Sequence, residues 1–553
     1  MNTKLTIVFF TLVTFLSFSR LNAQITERER PKEWNNLVQG GRFMDRFLPI
    51  PTIGNLTKDT WGADDVVPRF VDNGIEDADW SYWGGNSILG DDGNYHLFVC
   101  RWAEDSPKGH MQWSESIVVH AVSGTSYGPY KVVETIGPGH NPEVFQLADG
   151  RYIIYVIDGH YIADELKGPW IHGKFDFDKR DRRIIEGLSN LSFAQREDGS
   201  YLMVCRGGGI WLSKNGLSTY YQVSNERVYP PVDGRFEDPL VWRTNVQYHM
   251  IVNDWLGRIA WYLRSKDGIS WKVEPGEAYM PGLAKYEDGT VVDWFKYERI
   301  KVLQDKYGRA TQANFAVIDT IKWDDKSNDN HSSKNITIPL TVGKLLSVQG
   351  KNKIDKETKS IRVKVEAEEG FNPQSDIDLS SLRFGASEEV NFGRGAEVIG
   401  TENYKGDLII TFGLEHGLTD LNFAGKMLGK TKKGNLLFAY CRLPEINYKE
   451  PYLSARKPEF ITDENGFVAK VEMQNFGQVA SKPSTLKIQY IIDDKTIEIA
   501  SARIPKIDPF EKMEIKLNVK SVVNGQIEKA IQLISISDGK QQVVYKESSK
   551  SKE

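Results

Sequence analysis

The chain has 553 residues, which at roughly 150 residues per domain predicts about three domains. Hydrophobic residues make up 40%, aromatic residues 11% and charged residues 26% of the sequence, and this globular composition excludes a wholly disordered chain. Lysine and arginine number 70 against 75 acidic residues, without a long basic block, so a general nucleic-acid binder is not expected.

The N-terminal segment has the pattern of a secretory signal. Lys4 precedes an apolar run from Leu5 to Phe18, and Leu21-Asn22-Ala23 offers aliphatic and small residues at the cleavage positions. We expect residues 1–23 to be a cleaved signal peptide. The run is shorter than the roughly 20 apolar residues of a membrane span, and no cysteine lies near the cleavage point to carry a lipid anchor. The sequence therefore predicts a periplasmic or secreted protein without a membrane partner.

A repeated hairpin pattern follows this segment. Four segments combine a turn, usually Asp-Gly, with a tyrosine and a β-rich apolar run, at 91–102, 148–159, 197–208 and 243–255. Their tyrosines are 57, 49 and 47 residues apart, at Tyr95, Tyr152, Tyr201 and Tyr248. Each segment is typical of the second strand of a β-hairpin. A weaker fifth copy lies at 305–319, and a shorter apolar strand precedes every turn.

This period and this hairpin content predict four-stranded blades. Five copies between about residues 45 and 320 predict an all-β chain that begins with a five-bladed β-propeller, which we assign to residues 24–335. An array of β-sandwiches is the alternative. A spacing near 50 residues and the scarcity of helical stretches argue against that array.

The first strand of each blade runs beside the axis of a propeller, and its opening residues surround the funnel where ligands bind. Alignment of the modules on their tyrosines brings five polar residues to nearly equivalent positions: Asn86, Asn141, Asn190, Asp238 and Glu298. Any one of them could cap a turn instead. Because the position is polar in all five modules, we predict that these side chains face one cavity.

The layout of residues 45–320 resembles the five-bladed propellers of glycoside hydrolase family 43 and its relatives, including family 117. The resemblance implies a general base and a pKa-tuning residue, both aspartates, in the first two blades, and a glutamate as general acid in the third. The corresponding positions here are Asn86, Asn141 and Asn190. All three have an amide where that family has a carboxylate.

This difference leaves two chemistries for an enzyme. Hydrolysis with inversion needs one protonated and one ionised carboxyl group across the glycosidic bond, and an amide can serve as neither. A hydrolase would have to use displaced acids, for which the candidates are Glu143, Glu186, the Glu237-Asp238 pair, Glu298, or Asp77 and Asp79. Glu186-Gly187 is similar to the Glu-Gly step of the family, so a shifted alignment would restore an acid there.

β-Elimination at a uronic acid suits a funnel lined by amides. Amide, arginine and histidine side chains can neutralise the substrate carboxylate, and a histidine or tyrosine can remove the C5 proton. His140 directly precedes Asn141, while His110 and His120 lie in a segment whose alternation predicts a strand entering the site. Arg206 precedes three glycines, which would let the backbone approach a ligand closely; a surface ion pair is the alternative for this residue.

Aromatic residues add support for a sugar ligand, because flat rings match the apolar faces of pyranosides. Trp83 precedes the first inner strand and Trp255 follows the fourth hairpin. We predict that both bind substrate, together with Asn86, Asn141, Asn190, Glu143 and Arg206. The predicted catalytic residues are His110, His120, His140, Glu186, Asp238 and Glu298. We expect His96 and His249 to be packing residues, because each follows a repeat tyrosine on a middle strand.

The C-terminal third alternates short strands with Asp, Gly and Asn turns, which predicts two β-sandwich domains. We assign the first to residues 336–447. The second, at 448–546, is similar to CARDB-type immunoglobulin-like domains in its strand spacing and its Asn475-Phe476-Gly477 turn, and we expect it to be a scaffold. Residues 547–553 are predicted to be a disordered tail.

Three functions remain compatible with the sequence. The first is a carbohydrate-active enzyme that eliminates at a uronate, as a lyase or as a dehydratase. The second is an exo-acting glycosidase, and the third is a glycan-binding propeller without activity. Neither chemistry requires a cofactor, although a structural Ca²⁺ in the axial channel is compatible with the fold. The three cysteines, Cys100, Cys205 and Cys441, lie far apart in the sequence and predict neither a metal site nor a disulfide framework. We expect a monomer with an oligosaccharide or polysaccharide as its partner.

Overall fold

The computed structural model describes residues 28–54, 56, 69–185, 187–254, 258–292, 294–327, 333–464, 466–492, 495–520 and 530–547. The predicted signal peptide and all but the first residue of the predicted tail lie outside these ranges. Strands dominate the described residues, so the predicted all-β fold class is confirmed. The helices described are short: the 3₁₀ helices Lys32–Asn36, Met44–Arg46 and Gly109–Glu115, and the α-helices α1 (Pro373–Asp376) and α2 (Ser387–Val390).

Five successive sheets lie between Trp80 and Pro339. The first contains β1 (Trp80–Leu89), β2 (Tyr95–Ala103), β3 (Ile117–Ser123) and β4 (Lys131–Pro138). The second contains β5 (Glu143–Gln146), β6 (Tyr152–Val156), β7 (Gly159–Ala163) and β8 (Ile171–Gly173). The third contains β9 (Phe177–Asp178), β10 (Ser192–Gln195), β11 (Tyr201–Val204), β12 (Ile210–Ser213) and β13 (Tyr220–Gln222).

The fourth sheet contains β14 (Phe236–Arg243), β15 (Tyr248–Asp254), β16 (Ile259–Ser265) and β17 (Lys272–Tyr279). A two-stranded ribbon of β18 (Ala284–Lys285) and β19 (Val291–Val292) precedes the fifth sheet. The fifth contains β20 (Lys296–Gln304), β21 (Ala310–Ile318) and β22 (Lys334–Pro339). Because β22 pairs with β21 through Pro339, the fifth sheet extends beyond the predicted domain end at residue 335.

The sheets close into a ring. Strand β1 contacts both β5 and β20, and β14 contacts both β10 and β20. The second and third sheets meet through Phe145 and Phe193, whose ring centres are 4.9 Å apart. The inner strands β1, β5, β10, β14 and β20 therefore surround a common axis, which is the arrangement of a β-propeller.

Residues 344–442 form a second unit of seven strands: β23 (Lys344–Val348), β24 (Ile361–Val365), β25 (Ile377–Gly385), β26 (Val398–Tyr404), β27 (Asp407–Phe412), β28 (Ala424–Thr431) and β29 (Leu436–Arg442). Strand β23 pairs in parallel with β29 and antiparallel with β24. It joins two halves whose apolar faces share one core, including Val363, Ile410, Phe384 and Met427.

The last unit has two four-stranded sheets over one core. They are built from β30 (Leu453–Ala455), β31 (Glu459–Asp463), β32 (Gly466–Asn475), β33 (Ser484–Ile492), β34 (Lys495–Ile504), β35 (Lys512–Asn518), β36 (Ala530–Ser537) and β37 (Lys540–Lys546). Its similarity to immunoglobulin-like domains stays a prediction. The guanidinium of Arg180, beyond β9, donates to Ser454 Oγ, Ser454 O and Gln474 Oε1, which joins this unit to the propeller. No helix in the described part of the chain combines the length and the apolar character of a membrane span.

Candidate functional site

A pocket of about 390 Å³ lies at the end of the ring where the inner strands begin. Its lining includes histidine, carboxylate, amide, cationic and tryptophan side chains. The polar members are His110, His140, Asn141, Ser189, Asn190, Arg206, Glu237, Asp238, Lys296, Glu298 and Lys322, and the tryptophans are Trp83, Trp113 and Trp323. The axial funnel predicted from the sequence therefore has a counterpart in the structure.

The backbone at this end of the ring repeats one conformation in all five sheets. One residue at or just before each inner strand has a positive φ between 50° and 62°: Gly84, Asn141, Asn190, Asp238 and Arg299. Glycine adopts this conformation freely, and asparagine and aspartate tolerate it better than most residues. The next glycine, Gly85, also has a positive φ, and a Cβ there would lie 2.0 Å from the Phe98 carbonyl oxygen. The repeated turn, rather than the tyrosine spacing, therefore defines which residues are equivalent.

This equivalence corrects the predicted ring at two positions. Asn86 lies two residues beyond Gly84, and Glu298 lies one residue before Arg299. The Asn86 side chain does not line the pocket, because its amide donates to Val144 O at 2.9 Å and its oxygen accepts from Val144 N at 2.8 Å. Asn86 thus joins the inner strands of the first and second sheets below the pocket.

Glu143 also lies below the pocket, in the layer of Asn86. Its carboxylate pairs with the ammonium of Lys301 and accepts from Ser192 Oγ and Phe193 N, both at 3.1 Å. The Glu143 side chain is only 6% exposed. With its oxygens engaged in the axial channel, Glu143 cannot contact a sugar in the pocket, and the predicted substrate-binding role is not supported by its position.

Asn141 and Asn190 do line the pocket, and they contact each other. Asn141 Nδ2 donates to Asn190 Oδ1 at 2.8 Å. The Asn141 Oδ1 atom is buried, and no hydrogen-bond partner for it is found among the described residues. This oxygen can accept a hydrogen bond from a hydroxyl of a bound ligand, which would satisfy an otherwise costly buried group.

Asp238 and Arg299 form an ion pair across the floor of the pocket. Arg299 Nη1 lies 3.1 Å from Asp238 Oδ1, and Arg299 Nη2 donates to Asn141 O at 3.3 Å. Both side chains are almost completely buried. The carboxylate of Asp238 is therefore engaged in a buried ion pair with Arg299 and is not free to contact a substrate.

Glu298 is neutralised as well. Its two oxygens pair with the ammonium groups of Lys296 and Lys322, and its side chain is 2% exposed. Burial disfavours the charged form of this carboxyl, but the two ammonium groups outweigh burial and lower its pKa to about 2. Glu298 is therefore an anion that anchors two lysines beside the pocket.

Among the described carboxyl groups of the lining, Glu237 is the one that stays partly exposed. Its side chain is 29% exposed, and its Oε1 lies 3.7 Å from Arg206 Nη1. Burial, followed by the negative charges of Asp238 and Glu298, raises the pKa of Glu237 to about 7. At neutral pH a large fraction of Glu237 is protonated, which is the state that a general acid needs.

His140 has one ring nitrogen fixed by two hydrogen-bond acceptors. Its Nδ1 lies 3.0 Å from Ser116 Oγ and 3.4 Å from Cys100 Sγ. Ser116 donates its own proton to Gly139 O, and Cys100 donates to Trp83 O, so both present lone pairs to the imidazole. Nδ1 therefore carries the proton, and Nε2 is the unprotonated nitrogen left for the pocket.

The charge state of His140 agrees with this tautomer. Burial, then the positive charges of Arg299 and Lys322, hold its pKa well below the ordinary histidine value. Burial likewise raises the pKa of the Cys100 thiol to about 12, so the sulfur stays a neutral thiol. At neutral pH His140 is an uncharged imidazole with a basic Nε2.

His110 also lines the pocket, from the 3₁₀ helix before β3. Its Nδ1 lies 2.6 Å from Ser333 Oγ, and its ring packs edge-on against Trp83 with centres 4.7 Å apart. Burial, then the charge of Lys322, holds its pKa well below the ordinary value. The predicted continuous strand from His110 to His120 is wrong, because the helix occupies residues 109–115.

His120 is not among the residues of the pocket. It lies on β3, where its Nε2 is 2.8 Å from His96 Nδ1 and its ring stacks on Phe98. Burial, then the proximity of His96, lowers its pKa to about 4. His120 is a packing residue here, as are His96 and His249; the latter stacks on Trp242 and contacts Tyr262 Oη.

The remaining predicted residues divide into two groups. Trp83 and Arg206 line the pocket, and Lys322 Nζ lies 4.6 Å from the centre of the Trp83 ring. Glu186 and Trp255 lie outside the described residues, so their predicted roles stay predictions. The described residues contain no group of three or more histidine, cysteine, aspartate or glutamate side chains that could hold a metal ion.

Several residues that form the site are absent from the sequence-based candidates. Lys296 and Lys322 pair with Glu298, and Ser116 orients His140. Glu237 was indicated only as half of an acidic pair. A signal for Glu237 exists in hindsight, because it directly precedes the repeated positive-φ position, as His140 does. Ser116 and Lys322 lie outside the repeated strands and carry no such signal.

Comparisons with known proteins give weak similarities only. No protein-family model and no curated protein match the chain. Similar solved structures include an alpha-L-arabinofuranosidase from Lactobacillus brevis, 11% identical with a TM-score of 0.33, covering 46% of this chain and 90% of that one. A second solved structure, a glycoside hydrolase, is 13% identical with a TM-score of 0.35, and the match covers 80% of this chain and 95% of that one. These values carry no argument about chemistry, which has to come from the site itself.

Proposed function

We propose that this protein is a carbohydrate-active enzyme that performs β-elimination at a uronic acid, as a lyase or a dehydratase. One observation carries the proposal. Glu237 is partly protonated and partly exposed, and two neutral histidines line the same pocket. The side chains of Asp238 and Glu298 are buried in ion pairs with cations. Among the described residues the pocket thus offers one acid and imidazole bases, rather than an acid and a free carboxylate base.

The reaction needs a base for the C5 proton. We assign this role to Nε2 of His140, because its Nδ1 already carries the other proton toward Ser116 and Cys100. The C5–H bond breaks, its electrons form the C4=C5 double bond, and the C4–O4 bond breaks. Glu237 gives its proton to the leaving O4. A sugar leaves in a lyase and a water molecule leaves in a dehydratase.

The C5 proton becomes acidic only when the substrate carboxylate is neutralised. Arg206 and Lys322 line the pocket and carry the positive charge for this, and the Asn190 amide can donate a hydrogen bond. Glu298 fixes Lys322 by its ion pair, so the cation is already oriented before substrate binds. Preorganised charge of this kind stabilises an anionic transition state more than mobile charge does.

Hydrolysis is the second candidate, and one observation favours it. The pKa of Glu237 is raised to about 7 while that of Glu298 is lowered to about 2, and a separation of this kind marks acid–base pairs. A hydrolase would need Glu298 or Asp238 to activate water. Both are almost completely buried and paired with cations, which favours elimination.

A pair of variants tests the proposal. Glu237→Gln keeps the shape of the side chain and removes its proton, so turnover of a uronate oligosaccharide should fall by about 10²–10⁴-fold, the contribution of a general acid. Glu165→Gln, at an exposed glutamate outside the pocket, is the matched control and should leave turnover unchanged. Turnover retained in Glu237→Gln would contradict the assignment. Export of the chain and its monomeric state stay predictions of the sequence.

A further inference from the structure

A second cavity, of about 210 Å³, lies between the propeller and the unit of residues 344–442. It is distinct from the pocket described above and shares no lining residue with it. Its lining includes Arg46, Trp242, Tyr307, Arg309, Lys344 and Tyr440. The volume is below the roughly 300–1,000 Å³ of pockets for drug-sized ligands, so the cavity has room for one small ring and not for an oligosaccharide.

Arg46 is the unusual residue of this cavity. It is 7% exposed, and its guanidinium carbon lies 4.6 Å from the centre of the Phe43 ring and 4.2 Å from that of Phe438. Among the described residues, its side chain makes one polar contact, a long hydrogen bond from Nη2 to Tyr440 Oη at 3.4 Å. Within the described part of the chain, no carboxylate forms an ion pair with this guanidinium.

Two other charged residues of the lining, Arg309 and Glu366, are already paired. Arg309 contacts Asp305 and Glu368, both at 2.7 Å. Glu366, the carboxylate of the lining, lies 3.1 Å from Lys364 Nζ. Lys344 is half-buried and lies over the Phe371 ring at 4.4 Å; burial lowers its pKa, and the charge of Glu368 opposes that shift only in part. Arg46 is thus the buried cation of the lining, and its positive charge has no ion-pair partner among the described residues.

The buried residues behind the cavity do not supply that anion. The carboxylate of Glu274 already forms an ion pair with Arg264, in which Arg264 Nη2 lies 2.7 Å from Glu274 Oε1. Lys426 donates to Gly40 O at 2.8 Å, and burial, then the charge of Arg46, lowers its pKa to about 7. The carboxylate of Asp45 accepts from the backbone nitrogens of Gly40 and Arg42. This interface therefore contains more buried positive groups than carboxylates, and a buried charge without a counter-charge is strongly unfavourable.

We propose that the cavity is a binding site for a small organic anion, the size of one sugar ring, whose carboxylate or sulfate group pairs with Arg46. The planar guanidinium suits bidentate contact with either group. This site is independent of the proposed elimination chemistry, because none of its residues lies in the pocket of Glu237 and His140.

The test is isothermal titration of the full chain with glucuronate, with inorganic sulfate and with uncharged glucose. The funnel pocket also contains cations, so the Lys322→Met variant is titrated in parallel to remove anion binding there. We expect a glucuronate or sulfate site that persists in Lys322→Met and weakens at least tenfold in Arg46→Met. Arg46→Met should retain uronate turnover, since it leaves the funnel pocket intact. Glucose should not bind at this site.

A second variant keeps the proposal testable if Arg46→Met fails to fold. Ser347→Tyr, at a half-buried lining residue, fills the cavity and leaves Arg46 in place, and it should abolish the same titration. The proposal is overturned if both variants bind the anions as the parent chain does, if Lys322→Met alone removes all binding, or if glucose binds as tightly as glucuronate. Absence of any anion binding overturns it as well. Binding of glucuronate without sulfate would assign the site to carboxylates, and the reverse result to sulfate groups.

Discussion

Ser116 Oγ lies 3.0 Å from His140 Nδ1 while its own proton is directed to the carbonyl oxygen of Gly139. A hydroxyl that donates elsewhere can only accept from the imidazole, so the relationship selects the tautomer with a basic Nε2. Cys100 Sγ repeats the arrangement from another side, because it donates to Trp83 O. Two hydrogen-bond acceptors, Ser116 Oγ and Cys100 Sγ, thus orient the candidate base His140.

Replacement of Ser116 by alanine should lower kcat by at least about tenfold, a part of the 10²–10⁴-fold that a general base contributes. The imidazole then loses its closest acceptor, and the other tautomer and other ring orientations become accessible. KM should change little, because Ser116 is not part of the pocket lining. Steady-state kinetics on a uronate oligosaccharide measures kcat and KM separately and so checks that kcat falls while KM stays nearly constant. Ser535→Ala, in the last unit, is the control; an equal loss in both variants would indicate a structural effect only.

The pH dependence follows from the two pKa shifts. Glu237 must be protonated to act as the acid, and its pKa is about 7, so kcat/KM should fall as the pH rises through about 7. His140 must be neutral, and its pKa lies well below the ordinary value, so the acidic limb should lie well below pH about 6.5. A profile of kcat/KM against pH measures both limbs. A rate that climbs between neutral and alkaline pH would contradict the assignment of Glu237.

Lys322→Met should weaken binding of a uronate substrate and leave binding of a neutral glycan unchanged. Loss of a hydrogen bond to a charged group costs about 1.5–3 kcal/mol, which corresponds to roughly a 10- to 150-fold rise in the dissociation constant. Titration of a saturated uronate oligosaccharide and of its carboxyl-reduced form measures the difference. Equal weakening for the two ligands would show that Lys322 acts through the fold, for example through Glu298.

Glu143→Gln should reduce the stability of the propeller rather than act on substrate binding. The substitution leaves the buried ammonium of Lys301 without its counter-charge, and breaking a buried pair costs about 3–5 kcal/mol. Denaturant unfolding followed by tryptophan fluorescence reports the loss. The matched control is Glu498→Gln, which breaks a half-exposed pair with Lys487 and should cost at most about 1 kcal/mol. A stable Glu143→Gln protein with weakened sugar binding would restore the role predicted from the sequence.

The fold could be predicted because its signals are local. Tyr95, Tyr152, Tyr201 and Tyr248 each begin the strand that pairs with the inner strand of their sheet, and the turn with its alternating strand is a short-range pattern. The equivalence of the inner strands was harder to predict. In the first module Gly84 and Gly85 adopt the positive-φ conformation that asparagine or aspartate adopts in the next three modules, so the tyrosine spacing shifted Asn86 into the wrong layer.

The site was only partly predictable, because its charges come from several elements. His110, His140, Asn141, Asn190, Arg206 and Trp83 do line the pocket. The repeat places His140, Asn141 and Asn190 there, because they lie at equivalent turns before the inner strands, whereas His110 comes from a 3₁₀ helix outside the repeat. Lys322 follows β21 and Ser116 precedes β3, and no periodicity connects either residue with the inner strands. The neutralisation of Asp238 and Glu298 by Arg299, Lys296 and Lys322 likewise depends on packing that a sequence pattern does not contain.

The central claim is that the pocket eliminates at a uronate rather than adding water to a glycosidic bond. The direct measurement is incubation of the purified chain with uronic-acid oligosaccharides saturated at the nonreducing end, followed by ultraviolet absorbance and mass spectrometry of the same samples. Elimination predicts rising absorbance from the C4=C5 double bond, with loss of one water in a dehydratase or chain cleavage without water uptake in a lyase. Cleavage with uptake of one water and no absorbance would contradict the account in favour of hydrolysis, and binding without any turnover would contradict enzymatic activity.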